Sequence, residues 1–158
     1  MNFLTEHGIG SYEELESRLT AVPARRDTAH TEIKRIENRA AELALVMKHA
    51  ETYRQLKSLY GRYRKSNDKE KFLRGHESEI ILFEAAAREL KRLGTVPLPT
   101  TESMKTELAN LNAEKERLLA EYKAARAEAQ EYETVKQNVD ALLTVAKEQE
   151  QQRRHELE

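Results

Sequence analysis

The feature that most constrains this chain is a stripe of apolar residues near its C-terminal end. Met104, Leu108, Leu111, Lys115, Leu118, Tyr122, Ala125, Ala129, Tyr132, Lys136, Val139, Leu143 and Ala146 step alternately by four and three. That is the a/d pattern of a helix with one apolar seam. It spans 43 residues with no proline or glycine, about 65 Å at the rise of an α-helix. A helix of that length with its seam in water gains little from tertiary packing, so the pattern demands a partner. The chain contains one. Leu15, Leu19, Val22, Arg26, Ala29, Ile33, Ile36, Ala40, Leu43, Met47 and Ala50 repeat the same alternation.

The pairing of these two seams predicts an all-α fold, a long antiparallel coiled-coil-like hairpin with a small helical cap at its closed end. The expected organisation is a single domain over residues 1–158. Its first arm covers 11–65, the cap 67–94, the second helix 101–150, and a frayed polar tail 151–158. Pro23 removes a backbone donor and crowds the previous turn, so the first arm is expected to kink or restart near residue 22. Ser11 with Glu14 reads as a capping box, with Ile9 and Leu15 as a hydrophobic staple. Asn2 is expected to cap a short helix over 2–7 that stops at Gly8. Asn67 with Glu70 reads as the capping box of the cap region, with Ser66 as an alternative cap. Gly75 reads as a break there. Thr100 or Thr101 is expected to cap the last helix. Ile80, Ile81, Leu82, Phe83, Leu90 and Leu93 make residues 77–93 apolar on more than one face, so both long helices are expected to cover them.

Composition supports long helices over a thick core. Charged residues make up 35% and aromatic residues 6%, with no cysteine and no tryptophan. The absence of cysteine excludes disulfide and thiolate chemistry. No run approaches the roughly 20 apolar residues that span a bilayer. A cytoplasmic chain without membrane contact is the expectation. Leu157 and Glu158 look like a cloning-site remnant, and the chain reads as a piece of a larger protein. The formal net charge is −1, which offers no global attraction for nucleic acid. The local balance differs. Between Lys48 and Arg74 lie nine basic and three acidic residues, a net of +6.

No residue pattern points to catalysis. His7, His30, His49, His76 and His155 are not paired at metal-ligand spacing, and no HExxH, CxxC or glycine-rich phosphate loop occurs. No catalytic, cofactor-binding or metal site is expected, and no cofactor. His76 is expected to steady the Gly75 junction by a hydrogen bond. The phrase from Tyr60 to Lys65 (YGRYRK) carries the binding chemistry: arginines fork onto phosphates and tyrosines stack on bases. The alternative is that Tyr60 and Tyr63 pack on the cap helix while the cations face water. The candidate contact residues for nucleic acid or a protein partner are Arg54, Lys57, Arg62, Tyr63, Arg64, Lys65, Lys69, Lys71 and Arg74.

Three phrases carry a family likeness: NFLTEHGIGSYEELESRL (2–19), YGRYRK with KFLRGHESEIILFEAAARELKRLG (60–65 and 71–94), and LPTTESMKTELANLNAEKERLLAEYKAARAE (98–128). In these the chain resembles the C-terminal helical region of relaxase/mobilisation proteins of conjugative transposons and plasmids of Gram-positive bacteria. Relaxases nick transfer-origin DNA with a tyrosine, assisted by a three-histidine metal site on a sheet. Neither can be placed here. The resemblance therefore implies a non-catalytic accessory domain whose partners are transfer-origin DNA or relaxosome and conjugation proteins. The alternative expectation is a coiled-coil spacer or dimerisation module without nucleic-acid contact; the seams fit a monomer or a homodimer equally.

Overall fold

A computed structural model describes residues 3–158. Among these the chain is helical, with no strand: α1 (Phe3–Glu6), α2 (Tyr12–Lys65), α3 (Lys69–Arg92) and α4 (Thr101–Leu157). The expected Asn2 cap lies outside the described residues. The chain divides into two compact units. The division follows from long helices, which touch only what runs beside them.

The first unit comprises residues 1–34 and 116–158. After α1, Gly8 turns the chain with φ of +65°, a left-handed conformation that glycine adopts without Cβ strain. Ser11 then caps α2, its hydroxyl accepting from the Glu14 amide at 3.2 Å. The expected box closes in a shifted form: the Glu14 carboxylate reaches the Gly10 amide at 2.6 Å instead of the amide of Ser11. Leu15, Val22, Ala129 and Tyr132 form a buried cluster, with Ile9, Leu19, Val135 and Val139 packed against it. Tyr12 hydrogen-bonds Asp140, Arg25 pairs with Glu128, and His30 meets Tyr122 ring to ring. As α2 advances, its partners in α4 recede, so the two segments run antiparallel.

Pro23 does not break α2, which continues through it. The restart expected there is absent because the chain is anchored on both sides of the proline. Val22 before it and Ala29 after it are both buried. The seam of α4 is also shorter than its pattern. Every residue from 141 to 158 is exposed, with Leu142 at 70%, Leu143 at 48% and Val145 at 49%. Leu143 and Ala146 were expected to be covered. Their partner ends first, since α2 begins at Tyr12 and Tyr12 already sits at Asp140. The polar tail does not fray away; α4 stays helical to Leu157.

The second unit is residues 35–115. Here Ile36, Leu43, Val46 and Ala50 of α2 are buried, as are Met104 and Leu111 of α4. Arg35 pairs with Glu114, Lys115 with Glu37, and Arg39 with Glu107, again in antiparallel order. These pairs are all more than a third exposed, so each stabilises by well under about 1 kcal/mol and chiefly favours this register. Glu107 also raises the affinity of the Arg39 guanidinium for its proton. Val46 is buried where the heptad pattern placed Met47, which is half-buried. A real helix drifts by about 20° per heptad, so a strict 3.5-residue seam slips after a few repeats.

Asp68, not Asn67 or Ser66, caps α3: its carboxylate accepts from the Lys71 amide at 3.1 Å, while Ser66 Oγ accepts from the amide of Asp68. The helix bends at His76, with φ −137° and ψ 26°, one residue beyond the break expected at Gly75. Only one face of α3 is covered. Ile80, Phe83, Ala86 and Leu90 are buried, while Ile81 is 56% and Leu82 55% exposed. The expectation that both long helices enclose α3 is therefore overturned. Four consecutive apolar residues sweep about 300° of a helix, more than one packed face can cover. Gly94, with φ +70°, ends the segment, and Thr100 caps α4 by accepting from the Ser103 amide at 3.1 Å.

Candidate nucleic-acid interface

The second unit contains every candidate contact residue. α2 and α3 meet across the short segment 66–68, so the last turn of one helix lies beside the first turn of the other. Aromatic rings hold that junction. Tyr60 stacks on Phe83 with centroids 4.3 Å apart, and Tyr53 stacks on the same ring at 4.8 Å. Tyr63 contacts Tyr60 at 5.7 Å and Phe72 at 6.0 Å, and Phe72 continues to His76 at 4.7 Å. Such pairs add roughly 0.5–1.5 kcal/mol each beyond the area they bury. The Tyr60 hydroxyl donates to Glu84 at 3.3 Å. Tyr63 is thus half-buried in packing, and the second reading of the YGRYRK phrase holds for both tyrosines.

The cations separate into two groups. Arg54, though exposed, is engaged within the unit: it donates to Thr101 Oγ1 and to the Pro99 carbonyl, each at 2.6 Å. Lys57 lies 6.0 Å from the centre of the Tyr53 ring, at the outer limit of a cation–π contact. These two residues serve the unit's own packing. Arg62, Arg64, Lys65, Lys69, Lys71 and Arg74 are all exposed. None of the six carries an ion pair among the described residues. The side chain of Arg74 donates only to the carbonyl of Glu70, at 3.4 Å. Residues 62–74 hold these six cations and two acids, a net of +4, and one of the acids, Asp68, is engaged as the cap.

Helix electrostatics explain half of this arrangement. Arg62, Arg64 and Lys65 end α2, where the helix dipole favours positive charge. Lys69 and Lys71 lie in the first turn of α3, where the dipole disfavours positive charge by a few tenths to about 1 kcal/mol per charge. Their placement works against stability.

His76 does not form the hydrogen bond expected at the junction. Its Nδ1 is 3.7 Å from a Glu79 oxygen and its ring rests on Phe72. Among the described residues no three histidine or acidic side chains gather as a metal site. A groove of about 560 Å³ in this unit is lined by Tyr53, Ala87, Leu90, Lys91, Gly94, Thr95, Val96 and Leu98. It presents one cation and no acid or histidine. Among the described residues no helix is long and apolar enough to cross a membrane.

Comparison with protein-family models, with curated proteins and with solved structures finds no match.

Proposed function

We propose that the chain is a non-catalytic interaction domain that contacts DNA through the α2–α3 turn, in the manner of an accessory region of a conjugative relaxase in the cytoplasm. Its architecture in this reading is an antiparallel helical hairpin with α3 as the cap at the closed end. The observation that supports it is the set of six exposed cations without carboxylate partners, two of them placed against the helix dipole. Surface cations that serve stability pair with acids or sit at helix C-termini, and Lys69 and Lys71 do neither. The test is a titration against transfer-origin DNA at two salt concentrations, with wild type and an Arg62→Ala/Arg64→Ala/Lys65→Ala variant. Binding that weakens steeply with salt and is mostly lost in the variant supports the reading. Absence of binding refutes it.

A second reading, a spacer or dimerisation module, is favoured by Leu142, Leu143 and Val145, exposed on α4 beyond the end of its seam. Sedimentation distinguishes the two states. A concentration-independent mass near 18.3 kDa fits a monomer, and a stable mass of twice that fits assembly through α4.

A further inference from the structure

The arrangement of rings and cations at the α2–α3 turn specifies the strand form of the ligand, given the reading of this turn as a DNA contact. We propose that the turn holds duplex DNA by its phosphates and discriminates against single strands, because its cations are exposed while its rings are half-buried and engaged with one another.

Proteins that bind single strands join a positive groove to exposed rings on which bases stack, and the stacking supplies roughly 1–3 kcal/mol per base. Here the rings are half-buried and occupied with one another. Tyr63 contacts Tyr60 and Phe72, Tyr60 stacks on Phe83, and Phe72 is shared with His76. The hydroxyl of Tyr60 is directed to Glu84. A base stacking squarely on one of these rings would compete with the ring contacts that join α3 to α2. What remains toward solvent is the flexible, hydrated ends of Arg62, Arg64, Lys65, Lys69, Lys71 and Arg74. Such a surface responds to charge density alone. A duplex presents one phosphate per about 1.7 Å of axis, roughly twice the density of one strand, and releases more counterions per contact. The same six groups therefore attract a duplex more strongly.

The experiment is fluorescence anisotropy on the full chain with a labelled duplex of about 20 base pairs and with one of its strands alone, at about 50 and 200 mM NaCl. Lys69→Ala/Lys71→Ala/Arg74→Ala tests the cations on the α3 side of the turn, and Arg54→Ala serves as the control for a cation already engaged. If four to six phosphates are contacted, duplex affinity falls on the order of 10²–10³-fold between the two salts. The duplex binds roughly tenfold or more tightly than the strand at low salt. The triple variant loses most of that affinity, and Arg54→Ala retains it, with circular dichroism confirming helix content in each. A strand bound as tightly as the duplex overturns this inference while leaving the DNA reading intact. Binding of neither overturns both. Equal loss from Arg54→Ala and the triple variant also overturns it, since the patch would then not be the contact.

Discussion

Replacement of Phe83 by alanine tests how α3 is held. Phe83 is 6% exposed and lies against two tyrosine rings of α2, Tyr53 at 4.8 Å and Tyr60 at 4.3 Å. Truncating a buried phenylalanine costs about 3–5 kcal/mol in lost transfer energy and residual cavity. The two stacked contacts place this site at the upper end of that range. Leu82 is the comparator. It adjoins Phe83 in sequence but is 55% exposed, so Leu82→Ala is expected to cost under about 1 kcal/mol. Global unfolding is a poor readout for a chain of two compact units, because two-state behaviour is not assured. Amide hydrogen exchange, resolved to residues 80–90, reports local opening of α3 directly. At about 1.4 kcal/mol per decade, Phe83→Ala lowers protection there on the order of 10³–10⁴-fold, whereas Leu82→Ala changes it by less than about tenfold. Similar losses in the two variants would refute the one-faced docking of α3.

Two further substitutions probe α2. Pro23→Ala restores a backbone donor inside a continuous helix; the propensity difference of about 3 kcal/mol, less about 1 kcal/mol of unfolded-state entropy, predicts a net gain of about 1–2 kcal/mol. Amide hydrogen exchange over residues 15–33 that finds no gain in protection would mean α2 accommodates the proline without cost. Tyr12 has its phenol pushed up to about 12 by its hydrogen bond to Asp140. Because this raised value favours the neutral form in the folded state, its stabilising contribution is intact below pH 10 and declines as pH rises from about 10 to 12. Wild type should therefore lose stability through that window more steeply than Tyr12→Phe, and parallel pH profiles would show that the bond does not matter.

The sequence exposed the seams because a helix buries side chains at a fixed period, and both stripes recur in the buried sets that begin at Leu15 and Met104. Periodicity tells which face is apolar, not whether a partner is long enough to cover it. That is why Leu143 and Ala146 were expected inside and lie outside. Nor does it count the faces that neighbours can reach, which is the error at Ile81 and Leu82. The cap at Asp68 was missed by one position, because Ser66, Asn67 and Asp68 are all competent caps and only the turn geometry selects among them. Within the candidate interface, the run of positive charge was legible as composition. Its narrowing from eight cations to six was not. Arg54 is engaged by Pro99 and Thr101, 45 and 47 positions away, and no local pattern announces a partner at that distance. The packing of Tyr60 and Tyr63 had been one of two open readings, and only the position of Phe72 and Phe83 decides it.

The uncovered end of α4 has a thermal consequence. From residue 141 onward the backbone relies on its own ladder and on local pairs such as Arg154 with Glu150. An isolated stretch of that length is marginal in water, while the preceding turns are clamped by Tyr132 and Ala129. On warming, α4 should therefore melt from its C-terminal end toward Asp140, so one uninterrupted helix would lose ellipticity gradually before the buried clusters come apart.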